Sequence, residues 1–487
     1  MDILNQIVGK LNKEEIRKYK TLSTAGDKRK DHILFDYIRA AGPKFDEQKA
    51  LKKLGYTEVP KNRYYQLKNR LIENIGDSLV LLNTHKEELY EVHQYIQLYH
   101  LYRSRNLLKV ALSYLHKAEK CAIETDYYEI LDVIYNELIR LCSDLPGISP
   151  EQYILRRDEN ALIVSDLREM DNALATLSHR LRISQNFGPV DKNLLRKLQT
   201  KVGTISTHTT ARFGRNLEAR IYTALSRILV QQHHYDALEK LVTETYQKFT
   251  REKWFSRNNH ELKLQMLTYC ANALFKNKKY EASISYATML GKEIQSFDKL
   301  HFDKYYFFYC NSLVNNYTFV NPQKGLSVLN EFEATMRQKK SPYYDIYIYL
   351  NRATLLAHMS RYKESLQNLV KLYVTDNYRS ADDSFKLKIE VSELIITFET
   401  GDTEVLDYRL KQVKKSFAAL SKEKTLQRDF QMISLLEGMN GNPDYRSENR
   451  IKRKVEAFFK EKRALEEEDS EIIQYAPWLI KKFNLSD

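Results

Sequence analysis

Two stretches of the chain repeat the same side chains at the same spacing. Ala271, Leu274, Tyr280 and Ser283 align with Ala353, Leu356, Tyr362 and Ser365. Each set has a small residue, a leucine three later, a tyrosine six after that and a small residue three beyond. Recurrence at three and four residues marks one face of a helix. The pattern predicts two antiparallel helices: small residues let them touch, leucine fills the seam and tyrosine sits at the turn. Ser226, Leu229, Tyr235 and Leu238 repeat the arrangement. Taking Leu238, Ser283, Gly325, Ser365 and Leu406 as second-helix reference positions gives spacings of 45, 42, 40 and 41 residues. A near-constant period predicts stacked helical hairpins. The Gly325 unit has Pro322 in place of the turn tyrosine, and the Leu406 unit keeps only Gly401, so spacing supports these two.

The pattern resembles the tetratricopeptide repeat (TPR). The resemblance implies an all-α fold, a TPR-like right-handed α-α superhelix (solenoid) preceded by a small N-terminal helical bundle. The period here exceeds the usual TPR value of about 34 residues, so helices or loops are extended. The expected organisation is a basic N-terminal helical domain (1–85), irregular helical repeats (86–215), a TPR-like solenoid (216–445) and C-terminal capping helices (446–487).

The 487 residues exceed what one compact core holds unless the fold grows by stacking. Only 14 Gly and 9 Pro interrupt the chain, and strand signals are nearly absent, so helix is the economical reading. The net charge of +13 permits contact with nucleic acid, anionic lipid or an acidic protein without selecting among them. Cys121, Cys142, Cys270 and Cys310 form no C-x-x-C pair and read as small apolar residues in a reducing compartment. The stretch from Met1 to Asn5 has no signal-peptide pattern, and no run approaches the roughly 20 apolar residues of a membrane span. A cytoplasmic protein is expected. The 34 tyrosines read as seam fillers, or as the lining of a groove for a peptide or partner helix.

Residues 1–85 carry 17 Lys+Arg and 11 Asp+Glu, a net +6. Helices are expected at residues 3–11, 12–22, 32–41, 46–54 and 62–82, with Asn12 and Glu15 in capping-box spacing. Leu67, Leu71, Ile75 and Leu79 form an i, i+4 stripe that demands a partner surface. Lys61, Arg63, Lys68 and Arg70 crowd the start of the last helix. A short helix, a loop and a basic helix outline a helix-turn-helix, although the loop is long, and such residues also decorate solvated faces.

Further on, Tyr95, Leu98, Tyr99 and Tyr102 line one helix face, followed by Ala111, Leu115 and Ala118. Bulky Tyr99 stands where the repeat prefers a small residue. Residues 126–142 read as a helix. Residues 151–186 read as a long helix or tight pair, with Leu162, Leu167, Leu174, Leu177 and Leu181 as its apolar content. Residues 201–215 read as a surface loop or a low-propensity helix, or as a ligand-contacting segment. Near the end, Pro477 is expected to kink or split a last helix that caps the array.

No nucleotide-binding, zinc-protease, hydrolase or kinase motif occurs. His93 and His100 are two turns apart, too far for one metal. No enzyme, cofactor or metal site is expected. The expected function is a cytoplasmic interaction scaffold binding a peptide or partner protein on the concave first-helix surface. Tyr305, Tyr306, Tyr309, Asn316, Tyr347, Asn351 and Arg352 are the candidate partner-binding residues. The alternative is a nucleic-acid-binding regulator using the N-terminal domain. Its layout resembles that of peptide-responsive bacterial regulators with TPR sensor domains.

Overall fold

The computed structural model describes residues 3–22, 29–42, 45–55, 61–83, 88–145, 149–183, 196, 200, 215–336, 343–460 and 471–485. Among these residues there is no strand, and consecutive helices pack against each other in pairs. They fall into two compact units. The first ends at Glu169 and includes residues 215 and 216; the second takes Met170 to Ile183 and the chain from Leu217 onward.

The first unit opens with α1 (Ile3–Lys10), α2 (Lys13–Leu22), α3 (Lys30–Ala41), α4 (Glu47–Lys53) and α5 (Lys61–Asn83). The capping box forms: the Glu15 amide donates to Asn12 Oδ1 at 2.9 Å, and the Asn12 amide donates to Glu15 Oε2 at 2.7 Å. Asp46 caps α4 through the amides of Gln48 and Lys49. Leu67, Leu71 and Ile75 of α5 are buried, with Leu79 half-buried, against α2 and α3. Their core partners include Tyr19, Leu34, Phe35 and Ile38. The loop at residues 56–60, ahead of the basic helix, lies outside the described residues.

Next come α6 (Glu88–Ser104), α7 (Leu108–Glu124), α8 (Tyr128–Cys142) and α9 (Glu151–Ile183). Ala111, Leu115 and Ala118 are fully buried, and so is Tyr99. The Tyr99 hydroxyl donates to Glu137 Oε2 of α8 at 2.7 Å and accepts from Arg103 Nη1 at 2.9 Å. A bulky residue in the seam therefore brings its own polar partners. Helix α9 is continuous. Its buried positions in the first unit are Asn160, Val164 and Leu167, whereas Leu162, part of its apolar content, is 71% exposed. The side chains of Leu174, Leu177 and Leu181, and residues 201–214 of the expected loop, lie outside the described set.

The second unit contains α10 (Arg215–Gln231) from Leu217 onward, α11 (Tyr235–Arg251), α12 (His260–Lys276), α13 (Tyr280–Glu293), α14 (Phe302–Val320), α15 (Pro322–Met336), α16 (Tyr343–His358), α17 (Tyr362–Tyr373), α18 (Asp383–Thr400) and α19 (Thr403–Ser416). The five reference positions are each the fourth residue of a second helix: Leu238 in α11, Ser283 in α13, Gly325 in α15, Ser365 in α17 and Leu406 in α19. All five are buried. Ser283 Oγ donates to the Ala271 carbonyl at 2.7 Å, and Ser365 Oγ donates to the Ala353 carbonyl at 2.7 Å. The aligned small residues thus form the same helix-to-helix hydrogen bond 82 positions apart. At Gly325 the close neighbour is the following hairpin: an added Cβ would sit 2.6 Å from Leu355 Cδ2 of α16 and 3.3 Å from Tyr317 Cβ of α14.

The turns repeat as well. His233, Lys278 and Ser360 have φ of 55°, 59° and 58°, as do Asn106 and Asp126 of the first unit at 57° and 56°. In each, the next amide reaches back five residues, as Lys279 does to the Leu274 carbonyl at 2.8 Å and Arg361 to the Leu356 carbonyl at 2.9 Å. This is the Schellman closure, usually made with glycine. A non-glycine residue there costs roughly 1 kcal/mol or more. In three of these turns the tyrosine two residues on supplies a partner. The hydroxyls of Tyr128, Tyr235 and Tyr362 contact Asp126 Oδ1 (3.1 Å), His233 Nδ1 (3.1 Å) and Ser360 Oγ (3.4 Å). Asp126, expected inside a helix, is therefore a turn residue, and α8 begins at Tyr128. Gly401 takes φ 78° in its turn, and Pro322 opens α15, where its missing N–H is harmless.

Past α19 come α20 (Gln427–Met439), α21 (Asn449–Lys460) and α22 (Tyr475–Phe483). Pro477 is the third residue of α22, inside the first turn, so it removes no helical hydrogen bond and α22 is unbroken. Trp478 Nε1 donates to Glu399 of α18 at 2.6 Å, and Tyr475 donates to Asp429 of α20 at 2.7 Å. Glu471, whose side chain is 3% exposed, accepts from Arg428 and from the Tyr475 amide. Burial raises its carboxyl to about 7, with Asp429 adding to the rise, while Arg428 and the Tyr475 amide pull it down. A carboxyl raised in the folded state stabilises fully below its unfolded value near 4.5, and that contribution fades as pH climbs through about 7. Between pH 4.5 and 8, wild type is expected to lose about 3 kcal/mol relative to Glu471→Gln. Urea melts of both proteins across that range check this; parallel pH profiles would contradict it.

Candidate functional site

The first helices α14 and α16 carry all the candidate partner-binding residues. Tyr305 and Tyr306 of α14 are 5% and 6% exposed and belong to the core. The Tyr305 hydroxyl reaches the Glu261 carbonyl of α12 at 3.4 Å, and the Tyr306 hydroxyl lies 3.3 Å from Thr335 Oγ1 of α15. Burial raises both phenols, that of Tyr306 to about 12. The half-buried Tyr309 ring lies on Gly291 of α13, so closely that a Cβ there would meet Tyr309 Cε2 at 2.5 Å.

Asn316 is fully buried. Its Nδ2 donates to Ser283 Oγ at 2.8 Å and to the Ser312 carbonyl at 2.7 Å. It thereby ties one hairpin to the serine that closes the preceding one. Tyr347 of α16 packs its ring on Phe307 and Phe332, with centroids 4.9 and 5.3 Å away. Its hydroxyl is buried with no hydrogen-bond partner among the described residues, and burial raises its pKa strongly. Asn351 Nδ2 donates to the Tyr347 carbonyl of its own helix at 2.8 Å. Arg352 is held by Glu333 Oε2 at 2.7 Å and Asn330 Oδ1 at 3.0 Å, both on α15. Tyr309, Tyr347, Asn351 and Arg352 are half-buried.

A different side of α14 opens to solvent. Lys304, Phe308, Asn311, Asn315 and Phe319 recur at i, i+4, i+7, i+11 and i+15. Phe308 is 40% exposed, Phe319 36% exposed, and the two asparagines are half-buried. Lys304 pairs with Glu261 of α12, so the stripe adjoins the neighbouring first helix. Lys304, Phe308 and Asn315 lie one position from the expected Tyr305, Tyr309 and Asn316. A helix turns about 100° per residue, so one position moves a side chain from seam to surface. Following the helical period outward from charged Lys304 is the signal that finds them.

In the N-terminal bundle, Arg63 and Arg70 are exposed on α5. Lys68 is half-buried, with Nζ 5.6 and 5.5 Å from the Tyr64 and Tyr65 ring centroids. Lys61 opens α5, and its side chain lies outside the described set. Among the described residues no group of three or more His, Cys, Asp or Glu could hold a metal ion, and no helix is long and apolar enough to cross a membrane. No protein-family model and no curated protein matches the chain.

Proposed function

We propose that the second unit is a TPR-like solenoid acting as a protein-interaction scaffold, with the open stripe of α14 as the centre of its docking surface. The observation that supports this reading is a stripe of two exposed rings, Phe308 and Phe319, flanking two half-buried carboxamides, Asn311 and Asn315, on a first helix. Rings supply contact area, and carboxamides both donate to and accept from a peptide backbone. In a superhelix of hairpins the first helices face the concave side, where an extended segment or partner helix docks. The test is affinity capture with full-length wild type and Phe308→Ala/Asn315→Ala, followed by mass spectrometry. Both residues are partly solvent-exposed, so the fold is expected to survive. Loss of specific partners from the variant is the expected result, and an unchanged partner set would contradict the assignment.

A second reading, nucleic-acid binding by the N-terminal bundle, is favoured by exposed Arg63 and Arg70 on α5. Retention on duplex DNA that falls steeply with salt, and drops in Arg63→Gln/Arg70→Gln, would support it.

A further inference from the structure

Helix α7 carries a basic recess that the scaffold reading does not use. Lys109, Ser113, His116, Lys117 and Lys120 recur at i, i+4, i+7, i+8 and i+11 and are all exposed. With Leu112 they line a shallow recess of about 440 Å³. The stripe runs for about 16 Å along the helix. His116 Nε2 lies 3.0 Å from the Tyr153 hydroxyl of α9. Lys117 Nζ sits 4.8 Å from the centroid of the Tyr114 ring.

Among the described residues no carboxylate lines the recess. Glu119 of the same helix turns inward and is held by Arg156 at 2.8 Å. Glu124 lies 3.9 Å from Lys120, but both are exposed, so that pair neutralises little. The surroundings make the stripe an exception. Residues 86–169 contain ten Lys+Arg against fifteen Asp+Glu, so the positive charge here is not a by-product of composition. One turn beyond Lys120, Ile123 is 52% exposed and extends the stripe with an apolar residue.

We infer that this recess docks an acidic amphipathic segment of a partner protein. Carboxylates would answer Lys109, Lys117 and Lys120, and apolar side chains would cover Leu112 and Ile123. Charge complementarity selects an anion, and two features select a short acidic peptide over nucleic acid. Among the described residues the recess holds no arginine, the side chain suited to bidentate phosphate contact. The net negative charge of the surrounding region also repels a polyanion that extends beyond the recess.

The test uses the full-length chain and a fluorescein-labelled helical peptide of Glu and Leu, read by anisotropy at low and physiological salt. The same peptide with Lys for Glu, and a short DNA duplex, are the comparison probes. The acidic peptide is expected to bind, and Lys109→Gln/Lys117→Gln/Lys120→Gln to weaken it roughly tenfold or more. An equal charge loss at Lys49, Lys52 and Lys53 is expected to leave binding within about twofold. Equal binding by the recess variant and wild type, or equal binding of both peptides to wild type, would overturn the inference. So would duplex binding that exceeds peptide binding and is lost with the same three lysines. The two-peptide comparison needs no variant and holds whether or not the substitutions disturb α7.

Discussion

Lys388→Met is expected to lower stability by about 3–5 kcal/mol in urea or guanidinium unfolding. Lys388 of α18 is 4% exposed, and its ammonium lies 3.0 Å from Asp429 Oδ2 of α20. Asp429 is 1% exposed, and its other oxygen accepts from the Tyr475 hydroxyl of α22 at 2.7 Å. Methionine nearly matches the lysine stem in length but leaves a buried carboxylate with no cation. Removing one partner of a buried pair is far more damaging than removing both. The double variant Lys388→Met/Asp429→Leu is therefore expected to recover part of the loss. A single variant within about 1 kcal/mol of wild type would mean the pair is solvated.

Phe332→Ala is expected to cost about 3–5 kcal/mol, and to do so unevenly along the chain. Phe332 is fully buried in α15. Its ring meets Tyr306 of α14 at 5.9 Å and Tyr344 and Tyr347 of α16 at 5.3 Å each, between centroids. One side chain thus joins two successive hairpins. In a stack stabilised by nearest-neighbour contacts, removing that ring weakens one interface and leaves distant ones intact. The expected signature is a broadened transition with a lower m-value, as two-state behaviour fails. Phe332→Leu, which keeps most of the volume, is expected to cost under about 1.5 kcal/mol and to keep the transition sharp.

These two sites differ in how far sequence reading reaches them. The hairpin register follows from local chain geometry. A small residue, a turn and a second small residue lie within 13 positions, so their spacing specifies the contact that Ser283 makes with Ala271. The capping box of Asn12 and Glu15 is equally local. Tyr235, Tyr280 and Tyr362 are legible at their turns, although the hydroxyl contacts of Tyr235 with His233 and of Tyr362 with Ser360 are not. Lys388 and Asp429 are 41 residues apart, and lysine and aspartate are ordinarily surface residues, so no pattern marks them as buried partners. Leu162 fails for the opposite reason: an apolar residue on a long helix says nothing about which side finds a neighbour. On α14 the period was evident but its phase was not. Asn316 went to the seam because Ser283 was there to receive it, and Asn315 turned outward.

Hydrogen exchange of the full-length chain, followed by mass spectrometry, tests the hairpin stack most directly. Slow exchange is predicted over the interiors of α12, α13, α14, α16 and α17, broken by faster exchange at the first amides of α13 and α17, which follow the turns at Lys278 and Ser360 and have no intrahelical acceptor. Uniformly fast exchange across these helices, or protection running unbroken through both turns, would contradict it.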